Sequence, residues 1–136
     1  MAKNKSIACA LLLIAYCLGA VGIEPKRLAV KQVYTSQIGV REATGRNDGV
    51  QVENYLLVTK KKRGNAWCAA FVSWCFVEAN IKAVRSGWSP AWFPENRLIV
   101  KQGKILRQKV PECGDVFGIY FKNKGRIAHV GFIDEW

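Results

Sequence analysis

Asn65-Ala66-Trp67-Cys68-Ala69-Ala70-Phe71-Val72-Ser73-Trp74-Cys75-Phe76-Val77-Glu78 is a run in which, after Asn65, only Ser73 and Glu78 are conspicuously polar. A helix that is apolar all round is buried on most sides, so this stretch predicts the element around which the domain is built. Asn65 is a good N-cap, because its side-chain oxygen can accept from the free amides of the first turn, and it would place Ala66, Trp67 and Cys68 in that turn. There the unpaired N–H groups and the positive end of the helix dipole favour a thiolate over a thiol. Cys68 is therefore a candidate nucleophile. A lone cysteine is more commonly a small buried hydrophobe. What lifts Cys68 above that is the chain's single histidine, His129, in Gly125-Arg126-Ile127-Ala128-His129-Val130-Gly131. A thiol at a helix start and an imidazole at the start of a later strand are the two parts a cysteine hydrolase needs.

Downstream of this helix the pattern turns to strands. Val116-Phe117-Gly118-Ile119-Tyr120-Phe121 and Ile127 to Ile133 predict an antiparallel hairpin across a turn at Lys122 to Arg126. A turn centred on Lys124 puts His129 opposite Ile119. Leu98-Ile99-Val100 and Ile105-Leu106 are shorter strand candidates around Gly103. Between helix and strands, Ser86-Gly87-Trp88-Ser89-Pro90-Ala91-Trp92-Phe93-Pro94 is a loop rich in tryptophan and proline. Its aromatics can stack on sugar rings or line a peptide groove, or they can close as an apolar lid over the core. Upstream, Pro25 suits a first helical turn, with Leu28, Val33, Tyr34 and Ile38 as an apolar stripe before Gly39. Asn47-Asp48-Gly49 is a turn, followed by a short helix through Val52, Tyr55 and Leu56. Lys60-Lys61-Lys62-Arg63-Gly64 closes that helix as a solvated basic loop. Helices followed by small antiparallel strands make the expected class α+β.

Composition bounds the function. The chain has 136 residues, half of them apolar, which suffices for one core without staples and excludes disorder. A formal charge of +11 implies anionic surroundings, whether nucleic acid, anionic lipid or acidic wall polymer. The amino-terminal stretch chooses among these. Lys3 and Lys5 precede an uncharged run from Ser6 to Ile23, with small residues Gly19, Ala20 and Gly22 where a peptidase could cut. Residues 1–22 are thus expected to be a secretory signal, with an uncleaved anchor as the alternative. Export to the periplasm, the cell surface or the outside argues against a nucleic-acid partner. Removal of 1–22 takes the formal charge from +11 to +9 and leaves Cys68, Cys75 and Cys113. Cys68 and Cys75 lie about 10.5 Å apart along a helix axis, beyond a disulfide's reach. Pairing of Cys75 with Cys113 and burial of each as a hydrophobe both remain open. One histidine with scattered cysteines makes a poor zinc site, and no metal or other cofactor is expected.

The Asn65 to Cys75 stretch, followed by Gly114-Asp115-Val116-Phe117 and then Ala128-His129-Val130-Gly131-Phe132-Ile133, resembles the cysteine, histidine-dependent amidohydrolase/peptidase (CHAP) family of the papain-like superfamily. The resemblance runs from about Leu28 to the end, within an expected domain of residues 24–136. It implies a papain-like α+β fold, with the cysteine-bearing helix packed on a small antiparallel sheet. It also implies a bacterial peptidoglycan hydrolase cutting an amide bond, either as an endopeptidase or between muramic acid and L-alanine. Cys68 would be the nucleophile and His129 the base, with Trp67, Trp88 and Trp92 contacting substrate. The Cys68 N–H would help hold the oxyanion.

One element of the resemblance is not matched. The family orients its histidine with a third polar residue on a later strand, whereas Trp136 ends this sequence, so a form lacking its last strands is expected, with a sheet edge left open around Ile127 to Ile133. On a strand, Asp134 points to the face opposite His129, and Glu135 is about 20 Å along, so neither should reach the imidazole. Two alternatives follow. One is a catalytically impaired module that binds wall or partner proteins. The other is a basic protein bound to an anionic membrane surface, whose cysteine and histidine are structural.

Overall fold

The computed structural model describes residues 23–136, so the expected signal at 1–22 lies outside the described residues. Three helices come first: α1 (Pro25–Ser36), α2 (Val50–Val58) and α3 (Cys68–Glu78). Two antiparallel hairpins follow, β1 (Val100–Lys101) with β2 (Lys104–Ile105), and β3 (Val116–Phe121) with β4 (Arg126–Phe132). The class is α+β, with α3 at its centre.

Helix α3 earns its apolar sequence by facing a different partner on each side. Its Ala70 packs with Val52, Tyr55 and Leu56 of α2, flanked by Trp67, Phe71 and Trp74. Tyr55 is the hub there, with the rings of Trp74, Phe71 and Trp67 centred 5.0, 5.1 and 5.8 Å away. Ala69 and Val72 instead pack with Val130 of β4, among Phe76, Trp92, Phe93, Val116 and Phe132. Phe71 belongs to both clusters and joins them. The one polar residue on the buried surface of α3, Ser73, is fully paired. Its hydroxyl donates to the Ser86 carbonyl at 3.1 Å and accepts the Ser86 amide at 3.0 Å, stapling the following loop to the helix. The helix ends where Asn80 turns left-handed, with the Ile81 amide reaching back to the Phe76 carbonyl at 2.8 Å.

The start of α3 departs from expectation. Asn65 does not cap it: its carboxamide donates to the Lys62 carbonyl at 2.8 Å, closing the preceding turn instead. Trp67 takes the cap position without a side-chain hydrogen bond, and Cys68 is the first helical residue. The stripe on α1 is also shifted. Val30 is its buried residue, while Leu28 and Ile38 are 42% and 83% exposed. The inward turn is taken by Arg27, whose guanidinium meets the Cys113 carbonyl and Asp115, each at 2.8 Å, and Glu112 at 3.0 Å. Arg27 and Val30, one turn apart, thus form the inward face, which leaves Leu28 outside it. Tyr34 completes the docking by stacking on Phe132 with centroids 4.9 Å apart.

The β3–β4 hairpin follows the sequence reading in detail, whereas β1 and β2 lie closer to Gly103 than expected and share only Val100 and Ile105 with the expected strands. Ile119 pairs with His129, and the turn closes through Gly125 at φ 60°. Gly118 is required by packing, because a Cβ there would sit 2.6 Å from the Phe93 ring and 2.8 Å from Ile127. The sheet has two strands, so among the described residues no third strand covers the outer edge of β4. Cys68, Cys75 and Cys113 are all free thiols, and Cys75 is fully buried. Among the described residues no helix is long and apolar enough to cross a membrane.

Candidate functional site

Because α3 begins at Cys68, the thiol sits at the very mouth of the helix and is half-buried. The first helical hydrogen bond runs from the Phe71 amide to the Trp67 carbonyl at 2.7 Å. The amides of Cys68, Ala69 and Ala70 therefore have no acceptor within the helix and leave partial positive charge at the sulfur's end. The Cys68 sulfur lies 3.6 Å from the Ser89 hydroxyl, in the loop that Ser73 staples down.

His129 reaches the same place from β4. The pairing slips between Ile119 and Tyr120: Tyr120 faces Ile127, whereas Ile119 faces His129, which leaves Ala128 as an extra residue. Such a bulge re-aims the side chains beside it. Val130 consequently turns into the core while His129 is exposed. Cys68 and His129 line one cavity of about 470 Å³, with Trp67 and Phe71 on the helix side and Ala128 and Gly131 on the strand side. None of the described side-chain hydrogen bonds involves the imidazole. Its aromatic neighbour is Phe117, with ring centroids 6.3 Å apart.

The three tryptophans separate. Trp67 lines the cavity, and its indole N–H is spent on Glu42 at 2.8 Å, so it presents an apolar ring face to a ligand. Trp92 is part of the lid over the core, stacked on Phe76 at 5.6 Å. Trp88 is 49% exposed with the Arg126 guanidinium 4.2 Å over its ring. Neither Trp88 nor Trp92 lines the cavity that holds Cys68 and His129. The loop thus serves first as a lid and only at Trp88 as an exposed aromatic surface.

The acids after β4 are placed away from the imidazole. Asp134 accepts from the Tyr34 hydroxyl at 2.6 Å and pairs with Lys31 at 2.9 Å, and these two hold its carboxyl below the usual carboxylate range. Burial, followed by the neighbouring Asp134 and Cys113, pushes the Tyr34 hydroxyl well above its ordinary range and keeps it a donor. Glu135 is exposed. Among the described residues no cluster of three or more histidine, cysteine or acidic side chains could hold a metal.

Residues that the sequence reading passed over support the cavity from the α2 side. Asn47, taken only as part of a turn, lines it. Asp48 beside it is fully buried. Hydrogen bonds from the Thr44 hydroxyl and amide, then from Arg63, lower its pKa to about 2. Glu42 accepts from both Trp67 and the Asn47 amide. The signal available was thin: three polar residues before a glycine mark a turn equally well whether that turn is solvated or supports a site. Comparison of the chain with protein-family models, with curated proteins and with solved structures finds no match.

Proposed function

We propose that the chain is an exported cysteine amidohydrolase of papain-like fold that cuts an amide bond in peptidoglycan. The observation that carries this reading is that Cys68 and His129, remote in sequence, line one cavity. Cys68 attacks the amide carbonyl as a thiolate, and His129 takes the thiol proton and returns it to the leaving amine. The free amides at the start of α3 meet the oxyanion that develops. Water then releases the acyl group from sulfur, with His129 again as base. Trp67 and Phe71 give the cavity an apolar wall beside Cys68. The amide-cleaving class follows from the Cys–His pair. The peptidoglycan substrate follows from the sequence resemblance, the expected export signal and the positive charge of the chain, which suits an anionic wall.

A second reading is favoured by one observation: Asp134 is engaged by Tyr34 and Lys31, so the imidazole has no partner to select its tautomer among the described residues. A triad that loses this orienting group drops by about 10⁴ in turnover. On this reading the molecule is a wall-binding module that uses Trp88 and Arg126. Digestion of purified peptidoglycan, with released muropeptides identified by mass spectrometry, separates the two. Hydrolysis predicts new fragments that vanish in Cys68→Ala. The binding module predicts no fragments and a pull-down on insoluble peptidoglycan that survives Cys68→Ala but falls in Trp88→Ala.

A further inference from the structure

Asn47 is the only residue of the cavity wall whose backbone is left-handed, at φ 55°. Glycine would adopt that conformation freely, whereas asparagine meets a Cβ penalty that other L residues meet more severely. Backbone strain of this kind gathers at functional sites when the surroundings over-determine it. Here they do. The Asn47 amide donates to Glu42 at 2.9 Å, and its carbonyl accepts the Gly64 amide at 3.0 Å. The next residue, Asp48, is buried and tied to Thr44 and Arg63.

The carboxamide on this rigid mount is mostly unspent. Its Nδ2 makes a single long hydrogen bond, 3.3 Å to the Gly64 carbonyl, which leaves a second hydrogen free. Its Oδ1 accepts nothing among the described residues. A free donor beside a free acceptor is the complement of a peptide group, which offers one carbonyl and one N–H. The Glu42 carboxylate that holds the Asn47 amide also takes the Trp67 indole at 2.8 Å, so one side chain sets both Asn47 and the residue preceding Cys68.

We infer that Asn47 is a substrate-contacting, specificity-determining residue, whose carboxamide pairs with a peptide group next to the bond that is cut. Glu42 is the positioning residue that holds it there. This rests on the hydrolase reading above. It selects substrates that carry a second amide beside the scissile one, as a peptide stem does and a simple acyl amide does not.

The test is steady-state cleavage of a soluble disaccharide-peptide by the wild-type chain, Asn47→Gly, Glu42→Gln and the double variant. Each protein is also followed by thermal melting and by the rate of Cys68 alkylation with iodoacetamide. Asn47→Gly suits the left-handed backbone and deletes the side chain, including its long hydrogen bond to the Gly64 carbonyl. It should raise KM about tenfold, the worth of the donated and the accepted hydrogen bond together, with kcat within about threefold. Melting and alkylation should stay at wild-type values. Glu42→Gln leaves one acceptor oxygen for two donors, and its effect on KM should shrink in the Asn47→Gly background.

Wild-type KM in Asn47→Gly would reduce Asn47 to a turn residue and overturn the inference. So would a KM rise that tracks lost melting temperature or altered alkylation. Equal Glu42→Gln effects in both backgrounds would remove Glu42 as the positioning residue. A wild-type chain that releases nothing defeats the hydrolase reading and this inference together, whereas an active wild type matched by Asn47→Gly defeats this inference alone.

Discussion

Cys68 and Cys75 stand two turns apart on one face of α3, yet the two ends of that helix give the same side chain opposite characters. At the open end Cys68 is half-buried, with Ser89 beside it and the cavity in front. At the closed end Cys75 is fully buried, and desolvation, followed by the nearby Glu78 charge, pushes its thiol far above the ordinary cysteine range. A thiol that cannot ionise is neither a nucleophile nor a practical metal ligand. Solvent access to a thiol on this helix is therefore set by its depth, with residue type held constant.

The sharpest way to break this comparison is chemical. Iodoacetamide applied to the native chain, with modified peptides quantified by mass spectrometry, should label Cys68 at least about a hundredfold faster than Cys75, because Cys75 reacts only from opened states. Comparable rates would remove the distinction. Substitution should follow the same order. Cys75→Ala should cost about 1–2 kcal/mol of stability in denaturant titrations while activity persists, whereas Cys68→Ala should leave stability nearly unchanged.

Ser73, between the two cysteines, sharpens the comparison further. Its hydroxyl serves the Ser86 amide and carbonyl at once, and it is the polar tie between the closed part of the helix and the loop that carries Ser89. Ser73→Ala leaves the Ser86 amide without its acceptor and the Ser86 carbonyl with only the long bond from the Trp92 indole, and should cost about 1–3 kcal/mol. If Cys75 is reached only through opening of the core, its labelling in this variant should accelerate by the corresponding factor, roughly 5 to 150. Unchanged Cys75 labelling in a destabilised variant would mean that the reagent enters by a local path.

How much of this was legible depended on whether a residue's role is carried by local pattern or by distant partners. The burial of α3, the short α2, the β3–β4 hairpin and the pairing of Ile119 with His129 were readable, because apolar period and turn residues are local signals. The start of α3 was not. Asn65 satisfies every local rule for a cap, yet its carboxamide is captured by the Lys62 carbonyl, a competition that only the folded turn decides. The face of α1 was half read: Val33 and Tyr34 are half-buried as expected, but Leu28 is outside and Arg27 faces inward, because Asp115, Glu112 and the Cys113 carbonyl wait there. That Cys68 and His129 would come to one cavity was suggested by residue type and position, and the structure places both on its lining. Asn47, Glu42 and Asp48 could not be read in this way, since ordinary loop residues gain their meaning from where α2 and Trp67 bring them.

The smallest effect concerns the loop that supports the open end. Asp48 is buried, and its pKa is lowered to about 2 by Thr44 first and then by Arg63. A carboxylate whose folded pKa lies below its unfolded value near 4 stabilises the native state fully above pH 4. That contribution is lost as the pH falls from about 4 through about 2. Because Asp48 is joined to Asn47 and bonded to Thr44 and Arg63, protonation should loosen the α2 side of the cavity before it reaches the buried end of α3. Melting temperature should therefore fall as pH is lowered from 5 to 2, and Asp48→Asn, which removes the titrating group, should flatten part of that slope while lowering stability at pH 7. Hydrogen-exchange protection, taken relative to the intrinsic rate at each pH, should fall more at residues 44–49 than at residues 69–75 between pH 6 and pH 3. An equal loss of protection in both segments would mean that the open and closed ends respond to acid as one unit, and that the contrast between the two cysteines is one of burial alone.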